Sequence, residues 1–215
     1  MEESTSREKV LKKIRNALIY KTDNPFPNVD FEKPLYKDFE ETYDITFAQE
    51  FTKVGGKFIF CEDENEFVQS LSFLIKENKW ENVFCNDTKL VELLTSENIV
   101  FFNSAEKDFL KLKVGITQCE FLISRLGSVM VSSKQPSGRR LNVFPEIHIV
   151  LAYASQLVPD LQDAFKKIKE KYPTGIPSLI SVITGPSRTA DIEKTLVMGA
   201  HGPRELYVFL IDDNV

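Results

Sequence analysis

The chain is poor in the residues that carry redox and metal chemistry. Among its 215 residues are three cysteines, two histidines and one tryptophan. Cys61, Cys85 and Cys119 stand far apart, each among apolar neighbours, with no CxxC pair. That spacing excludes the cysteine runs that hold iron–sulfur clusters and suits buried, reduced, structural thiols. The expectation is a chain that carries no cofactor and no metal of its own. Long apolar runs are lacking too: none approaches the roughly 20 residues of a membrane span. The N-terminus is acidic and then amphipathic, without the continuous apolar core of a signal peptide. GxxxxGK[ST] and GxGxxG are absent, and Gly127-Ser128 lacks the GxSxG of a hydrolase elbow. There is no basic excess either. A net charge of -5 argues against nucleic acid or an anionic membrane as the main partner. Together these absences suggest a cytoplasmic protein.

What is present reads as α/β. Thr5 and Glu8 form a capping-box pattern ahead of Val10, Leu11, Ile14 and Leu18, which predicts a helix over 4–20. Pro25, Pro27 and Pro34 then alternate with Phe26, Phe31 and Tyr36, an irregular aromatic segment, so 1–43 reads as an appendage to a domain over 44–215. From Asp44 onward short apolar strands (57–61, 83–85, 99–102, 128–132, 148–152, 206–211) alternate with amphipathic helices (45–54, 64–76, 88–95, 159–171). That alternation indicates βαβ units and a mostly parallel sheet flanked by helices. Thr117 and Glu120 suggest a further short helix, and Ala190–Val197 another, capped by Ser187 or Thr189.

Residues fit for chemistry cluster late in the chain. Val182–Pro203 holds His201 with Ser187, Thr189, Asp191, Glu193 and three glycines. A strand feeding a turn that opens a helix leaves free N–H groups, a ready anion site. Ser137-Gly138-Arg139-Arg140 adds two guanidinium groups suited to a carboxylate or phosphate, or two surface arginines in an ordinary loop. His148 opens an apolar strand, as a core histidine or as a proton-transfer partner of His201. Glu120, Glu146 and Glu193 are the acids near these motifs that a transferase nucleophile would require.

The segments Gly115–Ser133, Ser137–Arg140, Phe144–Val150, Ile183–Glu193 (ITGPSRTADIE) and Gly199–Pro203 (GAHGP) resemble the LUD domain, the family of lactate-utilisation protein C, over roughly 50–212. Where that family often has an acid or Thr before its Gly-Ser pair, this chain has Arg125-Leu126. The resemblance implies a fold similar to the NagB/RpiA/CoA-transferase superfamily. It also implies a place in a three-part system oxidising L-lactate to pyruvate, with iron–sulfur clusters in partner subunits. The site it implies is a small-anion site made by Gly127, Ser128, Ser137, Gly138, Arg139, Arg140, Ser187, Thr189, Asp191 and Glu193, with His148 and His201 for proton transfer. The alternative is a stand-alone isomerase or acyl-CoA-transferase-like enzyme on a phosphorylated or CoA-linked substrate.

Overall fold

The computed structural model describes residues 5–19, 25–30, 36–96, 99, 112–190 and 196–213. The chain divides into two compact units, 1–38 and 39–215. In the first, α1 (Ser6–Ile19) opens on the capping box written in its sequence. The Glu8 carboxylate accepts from the Thr5 N–H at 2.8 Å, and the Thr5 hydroxyl accepts from the Glu8 N–H at 3.3 Å.

The second unit begins with α2 (Tyr43–Lys53), β1 (Lys57–Cys61), α3 (Glu64–Glu77), β2 (Val83–Phe84) and α4 (Thr88–Ser96). It continues with β3 (Val114–Gln118), β4 (Phe121–Ile123), β5 (Ser128–Ser132), β6 (Ile147–Tyr153), β7 (Leu157–Val158) and α5 (Leu161–Lys171). It ends with β8 (Ile180–Ile183), β9 (Arg188–Ala190), β10 (Leu196–Met198) and β11 (Glu205–Ile211). Of the expected strand over 99–102, all but Ile99 falls outside the described residues.

A parallel sheet, β1-β11-β6-β3-β2, forms the centre. Its middle strands are apolar on both faces because both are covered. On one face Ile147, Ile149 and Leu151 of β6 pack under Phe67 and Leu71 of α3 and Leu90 and Leu94 of α4. On the other, Val150 and Ala152 meet Leu122, Val129 and Val131 of a second sheet, with Phe47 and Phe51 of α2. That second sheet runs β7-β4-β5-β8, and Ala164 and Ile168 of α5 cover its outer face against Phe121, Ile123 and Met130. The result is a helix layer, two sheets and a further helix.

One expected helix is strand instead. Thr117 and Glu120 lie at the T-x-x-E spacing of a capping box, but Val114, Ile116, Phe121 and Ile123 are buried, and burying them on two sheet layers outweighs a local cap. Of the segment expected as helix Ala190–Val197, residues 191–195 lie outside the described residues, and its ends belong to an antiparallel pair, Ala190 with Leu196 and Thr189 with Val197. Thr189 and Val197 take the strand geometry that β-branched residues favour.

Gly127 shows how tightly the second sheet meets α2. It has φ +54° at the end of a 3₁₀ turn, Ser124–Leu126, and a Cβ there would collide with the main chain of Glu50 and Phe51. Gly127→Ala adds left-handed strain of about 1–2 kcal/mol and overpacking of about 1–3 kcal/mol. Urea denaturation should show a loss in that range; an unchanged midpoint would contradict the packing described.

Candidate functional site

One pocket gathers three of the residues the sequence singled out. It runs along β8, encloses about 270 Å³ and is lined by Arg139, Asn142, Val143, Ser187, His201 and Leu206 beside β8 itself. Its lining is mostly apolar (Val182, Ile183, Pro203, Leu206), with a few polar groups among it. Pockets of that composition hold small organic ligands by their apolar part and orient them by the polar few.

The chain's local folding sets the positions of those polar groups. After β5 a series of turns carries 134–144 away from the sheet; Arg139 is exposed there, and its guanidinium donates to the Ser178 hydroxyl at 2.7 Å. That bond anchors Arg139 beside the start of β8. At the far end of β8 the chain turns at Gly185, with φ +77° and the Val54 carbonyl packed where a Cβ would point. Ser187 then ties two segments together: its N–H donates to the Pro203 carbonyl at 2.8 Å, and its own carbonyl accepts from Gly199 N–H at 3.0 Å. Those bonds set the GAHGP turn against Ser187 and present His201 to the pocket. The Arg188 guanidinium donates to the Val54 carbonyl, joining the base of the β9–β10 pair to α2.

The pocket thus brings together Arg139, Ser187 and His201. The other expected residues lie elsewhere. Gly127 is packed on α2, and Ser128 shares a 2.8 Å hydrogen bond with Thr184 while donating to Leu126 O. Ser137 is buried next to Arg139, its hydroxyl without a partner among the described residues. Gly138 takes φ +61° in the same turn, Arg140 is exposed, and Thr189 lies on β9. Asp191 and Glu193 fall outside the described residues. Asn142 is a pocket residue that sequence reasoning missed. It is 5% exposed, donates to Gly138 O at 3.3 Å, and its Oδ1 has no partner among the described residues. The available signal was a lone amide between apolar residues, two positions past the arginine pair.

His148 does not line this pocket. It is fully buried between the sheets, sharing a 2.8 Å hydrogen bond between its Nε2 and the Thr117 hydroxyl. Burial away from water disfavours its charged form and pushes its pKa down to about 4. Two histidines that were candidates for one proton relay therefore occupy different environments, one dry and one exposed. Glu120 is buried as well, and its carboxylate is fully engaged. It accepts from the Ser132 hydroxyl at 2.5 Å, the Tyr172 hydroxyl at 2.8 Å and the Lys171 ammonium at 2.7 Å. A carboxylate so committed is a clamp joining α5 to the second sheet, with no oxygen left for nucleophilic attack. Glu146 is exposed.

The three cysteines are buried thiols. Burial drives their pKa values up, to about 11 for Cys61 and about 12 for Cys85, with Cys119 also raised. Among the described residues no group of three or more His, Cys, Asp or Glu could hold a metal ion, and no helix is long and apolar enough to cross a membrane.

Comparison with known proteins places this architecture. The LUD domain model matches residues 46–211. Lactate utilization protein C of Bacillus licheniformis is 31% identical over 173 residues, 80% of this chain and 69% of that protein. Lactate utilization protein C of Geobacillus kaustophilus is 35% identical over 186 residues, 83% and 74% of the two chains. Among solved structures, a DUF162 family protein from Deinococcus radiodurans superposes with a TM-score of 0.57 at 16% identity, covering 79% of this chain and 96% of that one, a likeness of fold. Two-sheet architecture, family model and relatives agree, and the chain belongs to the LUD domain family.

Proposed function

We propose that this chain is a subunit of a lactate-utilisation system, and that it binds a small carboxylate in the pocket along β8. The observation that carries this reading is the convergence of Arg139, Ser187 and His201, from three separate segments, on one mostly apolar pocket. Arg139 holds the carboxylate through charge-assisted hydrogen bonds, and the Ser187 hydroxyl donates a further one. His201, facing the pocket from an exposed turn, is the proton-transfer group. The electron-transfer step belongs to iron–sulfur partner subunits, since the three thiols of this chain are scattered and buried.

Deletion of the gene in its host tests this reading. Growth on lactate should fail, return with the wild-type chain, and stay impaired with an Arg139→Ala/His201→Ala double variant that still folds. Equal rescue by the double variant would remove the pocket from the function.

A further inference from the structure

Among the described residues, the second sheet leaves one edge unpaired. β8, Ile180-Ser181-Val182-Ile183, is outermost in the order β7-β4-β5-β8. It has no charge and no proline, and its register with Val129–Ser132 runs unbroken. The ladder identifies the unspent groups. Ser133 N–H donates to Leu179 O at 3.0 Å, and these two residues lie opposite one another by continuation of the Ser132–Ile180 register. Bonded and non-bonded pairs alternate in an antiparallel ladder. Ser181 and Ile183 therefore turn their main-chain groups to β5, and Ile180 and Val182 turn theirs outward. Among the described residues no other strand pairs with that edge.

The pocket meets β8 at Ser181, Val182 and Ile183; of the two outward-turned residues Val182, 38% exposed, lines it and Ile180 does not. Val143, Pro203 and Leu206 line the pocket with Val182. A monocarboxylate of lactate size satisfies Arg139 and leaves the edge unpaired; an extended polypeptide satisfies both. We propose that the slot takes the C-terminal segment of a partner protein, added antiparallel to β8 as a fifth strand, with its terminal carboxylate on Arg139. The direction follows from geometry. Arg139 is anchored to Ser178, just before β8 begins, and a strand antiparallel to β8 ends there. Main-chain pairing supplies affinity and the apolar walls select β-branched or aliphatic side chains at alternate positions. This goes beyond the small-carboxylate reading by giving the same site a polypeptide occupant, and it rests on that reading's use of Arg139 as the anion holder.

The test is a titration of the full chain with acetyl-Val-Thr-Val-Thr-Val bearing a free carboxylate. Its C-terminal amide, an alternately N-methylated acid and lactate are titrated alongside, with amide hydrogen exchange followed at Ile180 and Val182. The acid peptide should bind and slow exchange at both amides. The C-terminal amide should bind about tenfold more weakly or worse, given the weight of a charge-assisted bond. The N-methylated acid, which keeps the charge and loses the main-chain donors, should not bind. Arg139→Ala should reduce the acid to the level of the amide. If lactate binds through Arg139 while the acid peptide binds no better than its N-methylated form, the strand-addition proposal falls and the small-carboxylate reading stands. If neither binds, both fall.

Discussion

Acidification from pH 6.5 to pH 4 should cost this protein about 3 kcal/mol of folding stability through His148 alone. The histidine is fully buried, and desolvation lowers its pKa from 6.5 to about 4. Between those two values the unfolded chain binds a proton that the folded chain refuses, so stability falls as pH falls through the window. Above 6.5 both states are neutral at this residue and its contribution is full and constant; below 4 the loss is complete. Chemical denaturation at half-unit pH steps measures the slope. Carboxylates such as Glu205, whose pKa is lowered by its hydrogen bonds to Lys57 and Tyr207 against an opposing burial effect, add their own dependence at the acid end. The difference between wild type and His148→Gln isolates the histidine. The variant, keeping a polar group toward Thr117, should have lost about 3 kcal/mol of the wild-type change across the window; an identical profile would mean that His148 is hydrated or charged in the folded state.

Lys171→Met should cost about 2–3 kcal/mol at neutral pH, far above the half kilocalorie typical of a surface lysine. Lys171 is itself half exposed, which limits what its charge contributes directly. The cost arises at its partner. Glu120 has a side chain with no exposed surface, and loss of the ammonium leaves its charge supported only by the hydroxyls of Ser132 and Tyr172. Removing one member of a pair whose other member is buried leaves a charge without compensation. Glu120→Gln should relieve most of the penalty in the double variant. A change within about 0.5 kcal/mol of wild type would show that the two hydroxyls alone sustain the carboxylate.

Much of the central sheet was legible because its strands are short apolar runs between capped helices. Lys57–Cys61 and the helix after Asp63 are found where the pattern puts them, and the Asp63 side chain caps that helix by accepting from Glu66 N–H at 2.8 Å. The second sheet was not legible as a sheet. Its pairings, β5 with β8 across some fifty positions, depend on long-range burial that a local window does not register. The same cause explains the false helix at Thr117–Glu120. At Arg188–Met198, Ser and Thr after a Gly-Pro turn suggest an N-cap, whereas Ser187 makes main-chain bonds to the GAHGP turn. For the site, Arg139, Ser187 and His201 were legible as chemistry and their convergence as a family pattern. Asn142 and the open edge of β8 were not, since both depend on which segments fold next to each other.

The most direct measurement is a thermal-shift titration of the purified chain with lactate and pyruvate, repeated on Arg139→Ala. At about 100 times Kd a ligand bound to the native state adds roughly 2.7 kcal/mol of apparent stability. A carboxylate bound by Arg139 should raise the wild-type midpoint by several degrees and leave the variant unmoved. No shift in the wild type, or an equal shift in both proteins, would contradict a carboxylate site along β8.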